Sequence, residues 1–122
     1  GGRRVLEQTI EGVGPDPRAV AIIGRDVWVA SAQDGRVYRV DGDANAVVGS
    51  VRVGGAPRGL ATDGEQLFVT DRTGDRVVTV DPQAMEVADA ADAEGCPLNV
   101  AVDGDALFVT AFDAGDVLRL ER

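Results

Sequence analysis

Residues 55–82, which read GAPRGLATDGEQLFVTDRTGDRVVTVDP, decide the fold of this chain because their pattern recurs on both sides of them. Shifting the 122-residue sequence against itself by 40 residues brings it into register three times without a gap. Five positions are identical in all three copies: Pro17, Pro57 and Pro97; Ala21, Ala61 and Ala101; Gly24, Gly64 and Gly104; Val29, Val69 and Val109; Val37, Val77 and Val117. A fixed period of this kind predicts a repeat architecture in which the copies stack on one another.

Turn signals divide each copy into short apolar segments, which is typical of antiparallel strands joined by tight turns. In the second copy we predict strands over residues 58–62, 66–71, 76–81 and 86–91. Residues 84–93 are rich in Ala and could form a helix, but their counterpart over residues 44–53 is rich in Val. Because β-branched residues favour strands, we predict an outer strand in both copies.

The second strand of each copy carries a continuous apolar run, such as residues 27–29, instead of alternating apolar and polar residues. Both faces of that strand should therefore be covered. Four-stranded antiparallel sheets that stack radially provide such cover, because each sheet packs between two neighbours. We expect an all-β fold in which Trp28, Phe68 and Phe108 fill the gaps between successive sheets.

The text of residues 55–82 resembles a blade of the bacterial YVTN and NHL type of β-propeller, and the resemblance extends from about residue 13 to residue 120. The Asn that follows the second strand in that family is replaced here by Ser31, Asp71 and Ala111. The resemblance implies a propeller of bacterial type with a sensor or adhesion role and an extracytoplasmic or secreted location. The chain begins with Gly and not Met, so we expect an excised or processed segment.

We interpret residues 1–122 as one segment of three blades. It comprises an outer strand at 5–12, blades at 13–53 and 54–93, and a last blade at 94–122. Propellers typically have about four to eight blades, so three blades do not close a ring. Two copies arranged head to tail would form a six-bladed homodimer, in which the N-terminal strand of each completes the last blade of its mate. The alternative is that the segment is half of a longer propeller.

Charge and composition exclude several classes of function. Twelve Arg and no Lys against 21 acidic residues give a net charge of −9, which repels nucleic acids and anionic membranes. No apolar run reaches the length of about 20 residues that a membrane span requires. The sequence contains no His and a single cysteine, Cys96, so the commonest general base and a Cys-based zinc site are both missing.

No metal site or cofactor site is expected. Residues 41–52 begin like a calcium-binding loop, but Ala46 stands where that loop needs Gly and Arg52 where it needs Glu. The Asp-Gly pairs at residues 63–64 and 103–104 are better interpreted as hairpin turns.

Four residues are candidates for ligand or partner contacts at the face around the channel mouth. Arg18 and Arg58 follow the repeated Pro, and the third copy has Leu98 there. Their guanidinium groups suit a carboxylate or phosphate, and the alternative is that each pairs with a nearby carboxylate such as Asp16. The other two, Arg72 and Phe112, occupy equivalent loops after the second strand. The repeat does not require an aromatic at residue 112, so Phe112 is a candidate contact residue.

We therefore predict a non-enzymatic binding, sensor or scaffold module that recognises a protein or a small anionic ligand. An alternative is a propeller enzyme that is similar to streptogramin lyase, where catalysis is associated with His and a metal. The absence of His disfavours it. A third possibility is a repeat fragment that self-assembles into a closed propeller and binds no ligand.

Overall fold

The computed structural model describes residues 4–122, and the regular structure in them consists of β-strands. The strands are β1 Pro17–Ile23, β2 Asp26–Ser31, β3 Arg36–Asp41, β4 Ala46–Arg52, β5 Pro57–Thr62, β6 Leu67–Asp71, β7 Arg76–Asp81, β8 Glu86–Asp92, β9 Pro97–Asp103, β10 Ala106–Ala111 and β11 Asp116–Glu121. They form three antiparallel sheets in chain order. The first contains β1 to β4, the second β5 to β8 and the third β9 to β11.

The repeated glycine of each copy makes the turn between the first and second strands. Gly24, Gly64 and Gly104 have φ angles of 60°, 96° and 56°. An L-residue with a Cβ adopts this left-handed conformation only at a cost, whereas Gly does so readily. The repeat therefore keeps Gly where the chain reverses direction in every sheet.

The three sheets pack face to face, and they are closest to one another at their first strands. Strand β5 lies against β1 on one side and against β9 on the other, while the outermost strands β4 and β8 barely meet. Sheets that converge at one edge and diverge at the other are arranged radially. The first strand of each sheet thus lies at the centre.

Two apolar clusters hold the sheets together. Between the first and second sheets, Trp28 and Val37 pack against Leu67, Val69 and residues near them. The buried members of this cluster are Trp28, Val37, Val51, Val53, Leu67, Val69, Val78 and Val80. The cluster between the second and third sheets contains Phe68, Val77, Ala93, Val100, Leu107 and Val109. Successive residues of β6 belong to opposite clusters, because side chains alternate across a strand.

The predicted all-β fold of antiparallel sheets is confirmed, and residues 84–93 contain a strand, β8, rather than a helix. Strand β6 is buried on both faces, as expected from its continuous apolar run. Residues 4–16 contain no strand. The outer strand predicted over residues 5–12 requires a neighbouring sheet edge, so it stays a prediction about an assembly. In the part of the chain that is described, no helix is long and apolar enough to cross a membrane.

Phe68 offers a test of the packing between sheets. We expect Phe68→Ala to lower the free energy of unfolding by about 3–5 kcal/mol, because the side chain is 2% exposed and its removal leaves a cavity. Val87→Ala, on the outermost strand β8, should cost less than about 1 kcal/mol because Val87 is 41% exposed. Urea unfolding followed by circular dichroism measures both, and equal losses would contradict the proposed core.

Candidate functional site

The strands place all loops at two ends of the molecule. The end where the chain passes from one sheet to the next, here called the connection end, is formed by residues 32–35, 53–56, 72–75, 93–96 and 112–115. The opposite end, called the hairpin end, is formed by residues 24–25, 42–45, 63–66, 82–85 and 104–105. Arg72 and Phe112 lie in loops of the connection end, and Arg18 and Arg58 lie near the start of β1 and β5 at the same end.

A buried carboxylate organises the connection end at the second sheet. Asp71, the last residue of β6, is 1% exposed. Its Oδ1 accepts hydrogen bonds from the backbone N–H of Ala56 at 2.9 Å and of Gly74 at 3.0 Å. Its Oδ2 forms an ion pair with Nε of Arg76 at 2.9 Å. The carboxylate thus ties the connection at residues 53–56 to the loop at residues 72–75.

Gly55 is required by this network. It has a φ angle of 56°, and a Cβ on it would collide with Oδ1 of Asp71. The Arg76 guanidinium donates a further hydrogen bond to the C=O of Val53 at 2.8 Å. Ser31 and Ala111 occupy the position of Asp71 in the other two copies, so the repeat does not reproduce this carboxylate.

Cys96 contacts both Arg72 and Phe112. Nε of Arg72 donates a hydrogen bond to Sγ of Cys96 at 3.3 Å, and the N–H of Phe112 donates to the C=O of Cys96 at 3.0 Å. Hydrogen bonding to the Cys96 thiol and the nearby Asp113 carboxylate raise the pKa of Arg72, which therefore keeps its charge. The Phe112 side chain is 70% exposed. The loops at residues 72–75 and 112–115, which both contact Cys96, are here called the rim, and they carry a cation and an exposed aromatic ring.

The structure treats the other two predicted residues differently. Arg18 forms an ion pair with Asp16, with Nε and Oδ1 2.9 Å apart, as the alternative interpretation expects. Arg58 is half-buried on β5 and forms no ion pair with any residue between 4 and 122.

Several carboxylates at the connection end are engaged by the protein itself. The Tyr38 hydroxyl donates a hydrogen bond to Asp34, which raises the pKa of Tyr38. Asp75 accepts a hydrogen bond from the N–H of Cys96 at 3.2 Å. Asp71 and Asp16 are engaged as well. Arg58 and Arg72 form no ion pair among residues 4–122, and neither do Arg36 and Arg52 at the same end.

The sequence did not reveal a groove of ≈ 510 Å³ at the hairpin end, between the first and second sheets. It is lined by Ile23, Asp26, Trp28, Arg39, Gly64, Glu65, Gln66, Asp81, Pro82 and Gln83. Arg39 is the cation of the groove, but its donors are engaged: it pairs with Asp26 and donates to the C=O of Pro82 at 3.2 Å. Its guanidinium carbon also lies 5.6 Å from the centroid of the Trp28 ring.

Arg39 therefore connects two sheets rather than presenting a free charge. The sequence carries a signal for this role of Arg39, because the third copy also has an Arg at this repeat position, Arg119, although the second copy has Thr79. Among residues 4–122, no three Asp, Glu or Cys side chains are grouped so that they could hold a metal ion.

The sequence matches no protein-family model and no curated protein. Solved structures share its fold. Hydrazine synthase of Kuenenia stuttgartiensis aligns with a TM-score of 0.71 and 19% identity over 97% of this chain and 38% of its own. Virginiamycin B lyase from Staphylococcus aureus aligns with a TM-score of 0.74 and 16% identity, over 87% of this chain and 38% of its own. AztD from Citrobacter koseri aligns with a TM-score of 0.57 and 22% identity, over 63% of this chain and 23% of its own.

These similarities support the β-propeller fold for the three antiparallel sheets. At identities of this size they show the fold alone. This chain covers 38% of the length of each of the first two structures.

The Asp71 network gives a second prediction. We expect Asp71→Ala to lower the free energy of unfolding by about 2–3 kcal/mol, because it leaves two backbone N–H groups and Arg76 without their acceptor. Asp81→Ala is the matched control: Asp81 also accepts from two backbone N–H groups, those of Gln83 and Ala84, but in an exposed turn where water replaces it. Thermal or urea unfolding would contradict the role of Asp71 if both variants lost the same stability.

Proposed function

We propose that this propeller segment is a non-enzymatic binding module that recognises a protein ligand at its connection end. The observation that carries the proposal is that Arg72 and Phe112, whose ring is exposed, both lie in connection-end loops that contact Cys96. Exposed aromatic and Arg side chains are the residues that most often dominate the energy of protein interfaces. The fold is common to many activities, so the argument rests on this rim and not on the propeller itself.

The repeat supports a role for Phe112 that is independent of packing. The equivalent loop position holds Ala32 in the first copy and Arg72 in the second, and all three donate the same backbone hydrogen bond, to Asp16, Ala56 and Cys96. The backbone of the loop is therefore fixed while its side chain varies. A ring that packing within residues 4–122 does not require, and that is 70% exposed there, is available for contact with a ligand.

The charges of the rim suit an acidic segment with an apolar neighbour. Arg72 and Arg58 have no ion-pair partner within residues 4–122, whereas Arg18 is neutralised by Asp16. A ligand carboxylate can form a charge-assisted hydrogen bond with a guanidinium, and a neighbouring apolar side chain can cover Phe112. The net charge of −9 repels such a ligand at long range, so we expect moderate affinity.

Binding is favoured over the alternative, a lyase-like enzyme. One of the similar structures is a catalytically inactive His-to-Ala variant of virginiamycin B lyase from Staphylococcus aureus with quinupristin, at 16% identity. The 122 residues of this chain contain no His. The extracytoplasmic location implied by the family resemblance stays a prediction.

Peptide selection tests the proposed function. We expect a random peptide display library, panned on the immobilised chain, to yield peptides with Asp or Glu beside an apolar residue. Phe112→Ala and Arg72→Gln should each raise the Kd of these peptides about tenfold, which corresponds to about 1.4 kcal/mol. Isothermal titration calorimetry measures these constants.

Arg25→Gln is the matched control, because Arg25 is an exposed Arg at the hairpin end, paired with Asp43 at 2.8 Å. It should leave the Kd unchanged. Peptides that bind equally well to all four proteins, or a library that yields none, would contradict a binding site at this rim.

A further inference from the structure

The third sheet leaves one face open, and the first sheet leaves one face open except where Gly12 and Gly14 lie against it. The repeat shows which kind of surface those faces would meet. Val37, Val77 and Val117 occupy one repeat position, where the first two are 0% and 2% exposed and Val117 is 66% exposed. In the first two sheets this valine faces the next sheet. In the third sheet no further sheet lies against this valine among residues 4–122.

The open face of the third sheet also carries Phe108, at the position of the buried Trp28 and Phe68. A shallow cavity on this face is lined by Asn99, Val100, Ala101, Phe108, Thr110 and Val117. The face therefore has the composition of the surface that the second sheet uses to contact the third.

The open face of the first sheet is its complement. Val29 and Tyr38 pair across β2 and β3 at the positions of Val69 and Val78, which pack against the preceding sheet. Val20 and Ile22 of β1 extend this face, and each is 62% exposed. The first sheet thus presents the side that faces a preceding sheet, and the third presents the side that faces a following one.

The free edge of the third sheet has a complement as well. Residues 6–12 align without a gap with β4 Ala46–Arg52, yet they belong to no sheet in the single chain. Among residues 4–122, no strand pairs with the outer side of β11. The register of β3 with β4 pairs Tyr38 with Ser50, and that of β7 with β8 pairs Val78 with Ala90. Carried forward by the 40-residue period, this register places Leu118 opposite Ile10 of another chain.

Arg119 repeats the contact that Arg39 makes with an aromatic ring of its own sheet. Its guanidinium carbon lies 5.3 Å from the centroid of the Phe108 ring, as that of Arg39 lies 5.6 Å from the Trp28 ring. Arg39 reaches the C=O of Pro82 in the following sheet. The period places Gly42 of another chain at the position of Pro82, so Arg119 would reach the turn that contains Gly42.

We propose that the occupant of both open faces is a second copy of this chain. Two copies close head to tail into a ring of six sheets, and residues 6–12 of each form the fourth strand of the third sheet of the other. The two junctions are identical because a two-fold axis relates them. Together they bury the open faces and remove the free strand edge, which favours closure over further growth. This inference rests on the fold alone and is independent of the ligand proposed above.

Mass and a face-specific variant test the assembly. In sedimentation equilibrium the chain should behave as a species of twice 12.7 kDa. Val117→Asp should raise the dimer dissociation constant about 100-fold or more, because the carboxylate would be buried at the junction without a partner. Val48→Asp is the matched control, because it adds the same charge at a valine of similar exposure, 58%. The counterpart of Val48 in the second sheet, Ala88, is exposed as well, so this position does not face a neighbouring sheet. Val48→Asp should therefore have no effect.

Cross-linking tests the register. The background is Cys96→Ala, which removes the native thiol and places Ala where the second copy has Ala56. In this background, Ile10→Cys combined with Leu118→Cys should give a disulfide-linked dimer. Glu11→Cys with Leu118→Cys should not, because adjacent residues of a strand point to opposite faces.

Each alternative outcome overturns the proposal. A monomer at all concentrations would leave further blades of a longer polypeptide as the occupant of the faces. Open-ended oligomers would contradict closure of the ring. A dimer that forms equally with Val117→Asp, or that cross-links equally through residue 11, would contradict the proposed junction.

Discussion

Face-to-face packing of sheets is the constraint on which the rest of this structure depends. Each sheet is too thin to bury its own apolar residues, and both faces of β6 are buried because a sheet lies on either side. Trp28 and Phe68, one period apart, fill successive gaps. The same requirement applied to the first and third sheets leaves Val20, Ile22, Val117 and Phe108 without the cover that their counterparts have, and the second-copy proposal follows from it.

Because the sheets are held together by their own packing, the loop side chains are not required for the fold and can vary. The backbone hydrogen bonds at Ala32, Arg72 and Phe112 are the same, so the three loops start alike whatever side chain they carry. The second sheet uses this freedom for the buried Asp71 carboxylate, which has no equivalent in the other copies. Differences between the copies therefore mark both the special structural contacts and the candidate binding rim.

Much of the fold could be predicted because its signals are local and repeated. Gly24 and its counterparts predict the turns, and the apolar runs around Trp28 and Phe68 predict strands covered on both sides. The candidate rim could be predicted only in part. Arg72 and Phe112 stand out because the repeat does not require them, but the contact of both with Cys96 joins residues far apart in the sequence.

By itself, the sequence determined the period, the strand and turn positions and the identity of the residues between sheets, because these depend on neighbouring residues and on alternation along a strand. Only the tertiary structure decided how charges are shared. It paired Arg18 with Asp16, used Arg39 to join two sheets and buried Asp71 with Arg76, while leaving Arg58 and Arg72 unpaired within residues 4–122. The physical reason is distance: an ion pair depends on positions in space to within about 4 Å, which a one-dimensional pattern does not specify.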